Sequence, residues 1–491
     1  MENNNINHKQ SHSDVKYNTK NIQDSFEKCR TFFNTNATRS IEFRLKALND
    51  LEKVIINKEK AIIDALYQDL HKSKAEAYMT EIASLLGEIR YMKKHIRKFA
   101  KPKRKLPALA QMPGSLKIVY EPYGVVLIMA PWNYPFLIAL TPLVDAIAAG
   151  NCAIVKPSAY SPATSTIIKE VCEEAFPKEF VKVIEGGRKE NSALLEMDFD
   201  YIFFTGSPDV GKVVMEAASK KLIPITLELG GKSPCIVDST ADIAKTAKRI
   251  VFGKLANSGQ TCIAPDYLLV EKSIKDKLVS AILLELEKSL SLPDYFLDSF
   301  AKIITPKHFQ RLQGLTAGEK LIYPEFISNW DEKYLAKREG IMLNESSQQI
   351  FPVLIEEPTW DSPIMTSEIF GPLLPIISWD DSYQMLNRFK TMEKPLALYI
   401  FSKNNDFIEK TLESISSGGA CINDTLLHIA SANTPFGGVG NSGLGNYHGK
   451  AGFYTFSHDR TVLRKWWQFD IAMRHHPYDE GTYNKIKRLL G

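Results

Sequence analysis

Between residues 125 and 229 short apolar runs alternate with helical runs, and this alternation restricts the fold more than any other feature of the chain. Residues 125–130, 152–156, 181–185, 201–205 and 224–229 have the apolar character of strands. Residues 136–149, 163–176 and 210–220 have the spacing of helices, with a shorter helix before Tyr201. A strand that is apolar along its whole length has both faces covered, which is the condition of a parallel, doubly wound sheet. A second alternating set begins at Ser233. Its strands are expected at 235–237, 267–271, 374–377, 398–401 and 420–423, and its helices at 241–254 and 273–290. The expected fold class is therefore α/β, with two doubly wound halves and a ligand cleft between them.

The flanks differ. Residues 1–20 are polar, with no apolar core of a secretory leader, and are expected to be a disordered tail. From 21 to 100 apolar residues such as Leu45, Leu48, Leu51, Val54 and Ile55 recur at helical spacing, which predicts two or three long helices. The basic runs 93–98 and 101–105 are read as a solvated helix end and a linker rather than a polyanion site. Residues 115–122 suggest one strand of a small hairpin, and 320–348 a polar, irregular surface insertion. From Pro435 the chain is dense in glycine, as in a loop with positive φ. The tail carries Trp466, Trp467 and Phe469 and the basic stretch 485–490. These suit packing on a partner subunit, or, less well, a weak membrane contact.

Composition narrows the function. A net charge of +4 over 491 residues gives no reason to expect nucleic acid as a partner. The six cysteines form no C-x-x-C pair and no zinc spacing, so no metal site is expected and a reducing, cytoplasmic setting is. No apolar run reaches membrane-spanning length.

Chemistry concentrates in a few short strings. Glu228 lies at the end of an apolar strand, where a carboxyl is costly unless paired or put to use. Cys262 follows a helical run in the polar bend Asn257-Ser-Gly-Gln-Thr-Cys262. A thiol at such a bend is expected to be exposed, which favours the thiolate. A thiol and a carboxyl on separate elements are the parts of covalent catalysis followed by base-assisted hydrolysis. Asn133, just past a strand end, can hold a developing oxyanion or can cap the helix that starts near Phe136. The turn from Gly206 through Ser207 to Gly211 joins a strand to a helix and can cradle phosphates. With Lys212 it also matches most of a P-loop, the basis of a second reading as a nucleotide hydrolase. Val213 stands where that motif needs a hydroxyl for Mg²⁺. Lys156 can bond ribose hydroxyls or be a surface cation. Glu368 can bind ribose, and Phe370 can brace a flat ring, or the acid can be a solvated loop residue. Tyr123, Tyr134 and Phe136 suit a medium- to long-chain or aromatic substrate, or the core.

Together these strings resemble the aldehyde dehydrogenase superfamily, over residues 22–470. The resemblance is carried by Pro131-Trp-Asn-Tyr-Pro135, Phe204-Thr-Gly-Ser207, Leu227-Glu-Leu-Gly-Gly-Lys-Ser-Pro234, Gly259-Gln-Thr-Cys262, Glu368-Ile-Phe-Gly-Pro372 and Pro435-Phe-Gly-Gly438. Cys262-Ile-Ala-Pro-Asp-Tyr267 and Tyr447-His-Gly-Lys450 resemble its class 3 branch. The resemblance implies NAD(P)⁺-dependent oxidation of an aldehyde to a carboxylic acid. Cys262 would be the nucleophile, Asn133 the oxyanion donor and Glu228 the activator of the hydrolytic water. Lys156, Gly206, Ser207, Gly211, Leu229, Glu368, Phe370 and Trp132 would hold the NAD or NADP. It further implies a Rossmann-like cofactor domain at 21–105 and 123–228 and a catalytic domain at 229–425. A bridging and dimerisation element would be formed by 106–122 and 426–491, in a homodimer. Ala159 and Tyr160 follow Lys156-Pro-Ser158, where the family often has a Glu that repels a 2′-phosphate, so NADP⁺ is expected to be accepted.

Overall fold

The computed structural model describes residues 19–338 and 340–490. Of the expected disordered tail, 1–18 lie outside the described residues, while Thr19 and Lys20 open the first helix, Thr19–Asn34. It is followed by Ile41–Asn57, Glu59–Leu70, Lys74–Ala77 and Ala83–Phe99, with a π-helical turn at Tyr78–Ile82 before the last. The helices are more numerous than expected because serines restart them. The Ser40 hydroxyl accepts from the Phe43 N–H, and the Ser73 hydroxyl accepts from the Glu76 N–H.

The first sheet has six strands in the order Gly443–Leu444, Ile225–Glu228, Tyr201–Thr205, Val125–Met129, Cys152–Lys156 and Val181–Val183. The last five are parallel, and Gly443–Leu444 adds an antiparallel edge. The chain winds one way from Val125–Met129 and then returns to its other side at Tyr201–Thr205. That reversal is a topological switch point, where ligands lie beyond the carboxyl ends of the strands. The N-terminal helices belong to this half, since Ile62, Leu66, Leu85 and Ile89 share one apolar core with Val126, Leu127 and Ile128.

The second sheet has seven strands, in the order Leu321–Ile322, Val353–Glu356, Leu373–Trp379, Tyr267–Glu271, Pro234–Val237, Ala397–Phe401 and Gly419–Ile422. All but the first are parallel. The two-residue period sends Ile236, Leu269 and Ile355 into one core and Cys235, Leu268 and Leu354 into the core on the opposite face.

Three flanking regions depart from expectation. Lys103–Lys105, read as linker, is an edge strand on Gly114–Pro122. The longer partner of Gly114–Pro122 is not a hairpin neighbour but Ser457–Lys465, paired over nine residues. The stretch 320–348 is not irregular. It contributes to a three-stranded antiparallel meander, Ala336–Arg338, Ile341–Asn344 and Gln349–Ile350. Its spaced aromatics form a satellite core with neighbouring segments: Trp330 and Phe326 pack on Phe296 and Phe351. An open pocket of about 560 Å³ lies beside it, lined by Leu321, Tyr323, Ile327, Trp330, Leu335 and Met342, among others.

Candidate active site

Three chain segments converge at the carboxyl edge of the first sheet. One is Trp132-Asn133-Tyr134, past the strand Val125–Met129; another is the end of Ile225–Glu228; the third is the bend 257–262. The bend is made by three successive left-handed residues, Asn257, Ser258 and Gly259, at φ 50°, 54° and 73°. A Cβ on Gly259 would stand 2.3 Å from the Gly371 carbonyl oxygen, so the position admits no side chain. Glu76 and Gln260 hold the turn. The Asn257 N–H donates to the Glu76 carboxyl at 2.5 Å, and the Gln260 amide bridges the Lys302 carbonyl and the Ile304 N–H.

Asn133 is buried and does not cap the following helix, whose N-cap is Tyr134. Its side-chain N–H donates to the Gln260 carbonyl at 3.1 Å, which sets the amide beside the cysteine loop. The Tyr134 hydroxyl bonds Thr261 Oγ1 at 2.7 Å, a second tie to the same loop. Tyr134 and Phe136 are core residues, and Tyr123 packs on Tyr201 and His458. Of the two alternatives for these aromatics, the structure takes the core.

Cys262 is half-buried, and its thiol is pushed up to about 12. Burial is the main cause, followed by the Glu368 and Glu228 carboxyls; the N–H groups of Cys262 and Ile263 act in the opposite direction. The expectation of an exposed thiolate is thus corrected. The thiol faces two acids and apolar walls, and no cation figures among the groups acting on it. Glu228 is 2% exposed, and neither carboxyl oxygen has a hydrogen-bond partner among the described residues. Burial holds its carboxyl well above the usual range. Such a group is an acid at rest and a base once water or a charge reaches it.

Glu368 is not a solvated loop acid. Its carboxyl covers Gly230 so closely that a Cβ there would lie 2.1 Å from Oε2. Burial and Asp266 push it up to about 8, against the Gly231 N–H, Lys232 and Arg311. Phe370 is held at φ 50°, with its ring edge-on to Trp132 at 5.3 Å, and Trp132 also packs on His308.

Lys156 ends its strand buried, so it is not a surface cation. Its amine donates to the carbonyls of Pro157 at 2.7 Å and Gly186 at 2.6 Å, and burial pushes it down to about 8. Ser207 is the exposed N-cap of the helix Pro208–Ser219, and its hydroxyl makes no capping bond. Gly211, one turn into that helix, meets Leu229 so closely that a Cβ would stand 2.7 Å from its Cδ2. Gly206 N–H is bound to the Glu228 carbonyl. A helix N-terminus whose cap hydroxyl is unused, a buried cation at a strand end and the Trp132–Phe370 ring pair fit a dinucleotide. Lys212 points to solvent beside Asp209, not back into the turn, unlike a P-loop lysine.

Sequence analysis missed Lys72 and Glu81, which carry no local motif, and gave no role to Asn257 and Gln260, which it met only as part of the Cys262 bend. Their signal is burial of charge and amide, which only the assembled fold displays.

Comparison with known proteins agrees with this geometry. The model of the aldehyde dehydrogenase family matches residues 3–462. The chain belongs to the aldehyde dehydrogenase family. It is 42% identical over 471 residues to a 4,4′-diaponeurosporen-aldehyde dehydrogenase of Staphylococcus aureus (strain NCTC 8325 / PS 47), covering 96% of this chain and 99% of that one. It is 40% identical over 468 residues to aldehyde dehydrogenase family 3 member A2 of Mus musculus, covering 94% and 92%. Among solved structures, the substrate-bound state of Staphylococcus aureus AldH superposes with a TM-score of 0.88 at 41% identity, over 96% of this chain and 99% of that one. The chain is an NAD(P)-dependent aldehyde dehydrogenase of the class 3 type, which oxidises an aldehyde to an acid. This family places the nucleotide-hydrolase reading aside.

Proposed function

We propose that oxidation runs through a covalent intermediate on Cys262, with Asn133 as oxyanion donor and Glu228 as the base for hydrolysis. The observation that carries this reading is Glu228 itself: a buried carboxyl without a partner, within electrostatic reach of the Cys262 thiol. The sulfur bonds to the aldehyde carbon while the C=O π pair moves to oxygen. The thiol proton passes to solvent. The resulting oxyanion is received by the Asn133 amide and the Cys262 N–H. Bound NAD(P)⁺ supplies the acceptor for the two electrons and the hydrogen that leave this carbon. A thioester remains. Glu228, its proton lost to solvent, takes one from water as that water's oxygen bonds to the thioester carbon. The C–S bond then breaks and the acid departs, with the sulfur regaining a proton.

Lys156, Gly206, Ser207, Gly211 and Leu229 are assigned to the adenosine and pyrophosphate side of the cofactor, and Glu368, Phe370 and Trp132 to the nicotinamide side. The first sheet with the N-terminal helices is accordingly the cofactor domain, and the second sheet the catalytic domain. Replacement Glu228→Gln is expected to leave one burst of reduced cofactor per site and then stop, whereas Cys262→Ala gives none. A steady rate in Glu228→Gln would remove Glu228 from the hydrolytic step.

We infer that NADP⁺ serves as well as NAD⁺. No acid stands at Ala159 or Tyr160. Glu185 and Glu190, which do act on Lys156, are bound to Lys169 and to the Gly187 N–H. Comparison of kcat/KM for the two cofactors checks this, and undetectable turnover with NADP⁺ contradicts it. The name of the staphylococcal relative makes 4,4′-diaponeurosporen-aldehyde the first substrate to test. Six free cysteines suit a cytoplasmic setting.

A further inference from the structure

We propose that Lys72, backed by Glu81 and joined by Asn257, is a positioning residue that fixes Asn133 for oxyanion binding. The inference rests on the role assigned to Asn133 above. Lys72 and Glu81 form an ion pair at 2.5 Å in which neither side chain has any exposed surface. Removing two charges fully from water is costly, and their attraction alone rarely recovers it. This pair therefore calls for a purpose beyond stability, and its remaining bonds supply one.

The Lys72 amine donates to the backbone carbonyl of Asn133 at 3.0 Å and lies 3.9 Å from the centre of the Tyr134 ring. The Asn257 side chain donates to the same Asn133 carbonyl at 2.8 Å and to the Gln260 carbonyl at 3.1 Å. The Asn133 amide in turn donates to that Gln260 carbonyl. The oxyanion residue is thus gripped on its main chain by a cation and an amide, and on its side chain by the cysteine loop. Glu81 completes the clamp from behind. Its second oxygen accepts from the N–H groups of Phe136 and Leu137 at 2.9 and 3.1 Å, the first turn of the helix that follows Asn133. Glu81 lies within the π-helical turn Tyr78–Ile82, a type of distortion that recurs where a side chain must be aimed at a site.

A donor amide acts on a transition state only if its position is set before the charge appears, so play in the Asn133 main chain passes directly into the barrier. Lys72 touches no reacting atom; it acts through Asn133.

The test is a double-mutant cycle. Lys72→Met combined with Glu81→Gln removes the grip and neutralises both members of the ion pair together, leaving Glu76 its bond from the Asn257 N–H. Asn257→Gly removes the second grip at a left-handed position that glycine accepts. Folding of each is checked by thermal unfolding. The Lys72/Glu81 variant is expected to lose about 100-fold in kcat with the cofactor KM unchanged, and Asn257→Gly about 10-fold. In an Asn133→Ala background the same replacements are expected to change kcat less than about threefold, because the residue they position is gone. An equal loss in both backgrounds, or no loss in the native one, overturns the clamp. Should Asn133→Ala itself keep full kcat, the oxyanion role falls and the clamp with it. Loss in Asn133→Ala without loss in either clamp variant sinks the clamp alone.

Discussion

At the scale of single residues, Cys262 shows how far position overrides residue type. A thiol at about 12 holds its proton at neutral pH, so its thiolate fraction grows tenfold for each unit by which pH rises toward that value. Alkylation of the unliganded enzyme by iodoacetamide is therefore expected to accelerate about tenfold per unit between pH 7 and 9. A rate that is already flat at pH 7 would mean an ionised thiol and a missing cation. The residues of the site were legible as types: a Cys after Gly259, a Glu at a strand end, an Asn past another. Their protonation was not, because it depends on Glu228 and Glu368 approaching Cys262 from segments 34 residues before and 106 residues after it. Lys156 is a similar case. Its place at the end of an apolar strand was visible in the sequence, but the carbonyls of Pro157 and Gly186 that receive its amine were not.

Elements were readable where the apolar pattern was strong and local. Every strand expected within the two parallel sheets emerges within a residue or two of its place, most of them because burial on two faces makes them apolar throughout, whereas the parallel strand Val353–Glu356 was not expected. Lys103–Lys105 escaped notice because an exposed edge strand needs no apolar residue. The short helix Gly449–Thr455 has a cost that no local pattern reveals. Asp145 lies wholly buried on the helix Pro135–Ala149, close enough that a Cβ on Gly452 would stand 1.8 Å from Oδ2. Beside it Glu88 accepts from the Gly449 N–H at 2.7 Å. Burial, and then Glu88, hold the Asp145 carboxyl well above its ordinary range. The sign follows: above the ordinary carboxyl pKa the folded chain keeps a proton that the unfolded chain releases, so stability falls as pH rises toward the folded value. Asp145→Asn is expected to flatten the decline of Tm between pH 5 and 9. An unchanged slope would show that the pair does not govern it.

Across the whole molecule, the C-terminal segment returns to pair with strands far upstream of it. Ser457–Lys465 pairs with Gly114–Pro122, and beyond it Trp466, Trp467 and Phe469 stand 52%, 100% and 56% exposed. No helix among the described residues is long and apolar enough to cross a membrane. Aromatics so placed fit burial against a second copy of the chain, as the class 3 resemblance implies. Removal of residues 466–491 is expected to shift the mass in solution from dimer to monomer by light scattering, with Ser457–Lys465 retained. A truncated form that remains dimeric would locate the interface elsewhere.

The strand that ends in Glu228 has its outer edge covered by Gly443–Leu444, and the Leu229 N–H is received by the Ser442 carbonyl. Those covering residues lie more than 200 positions downstream. The strand that carries this carboxyl therefore gains its outer neighbour only after residues 442–444 have been synthesised. A chain that stops before Ser442 keeps Cys262 but lacks the residues that cover the Glu228 strand. Order of synthesis thereby delays completion of this sheet edge.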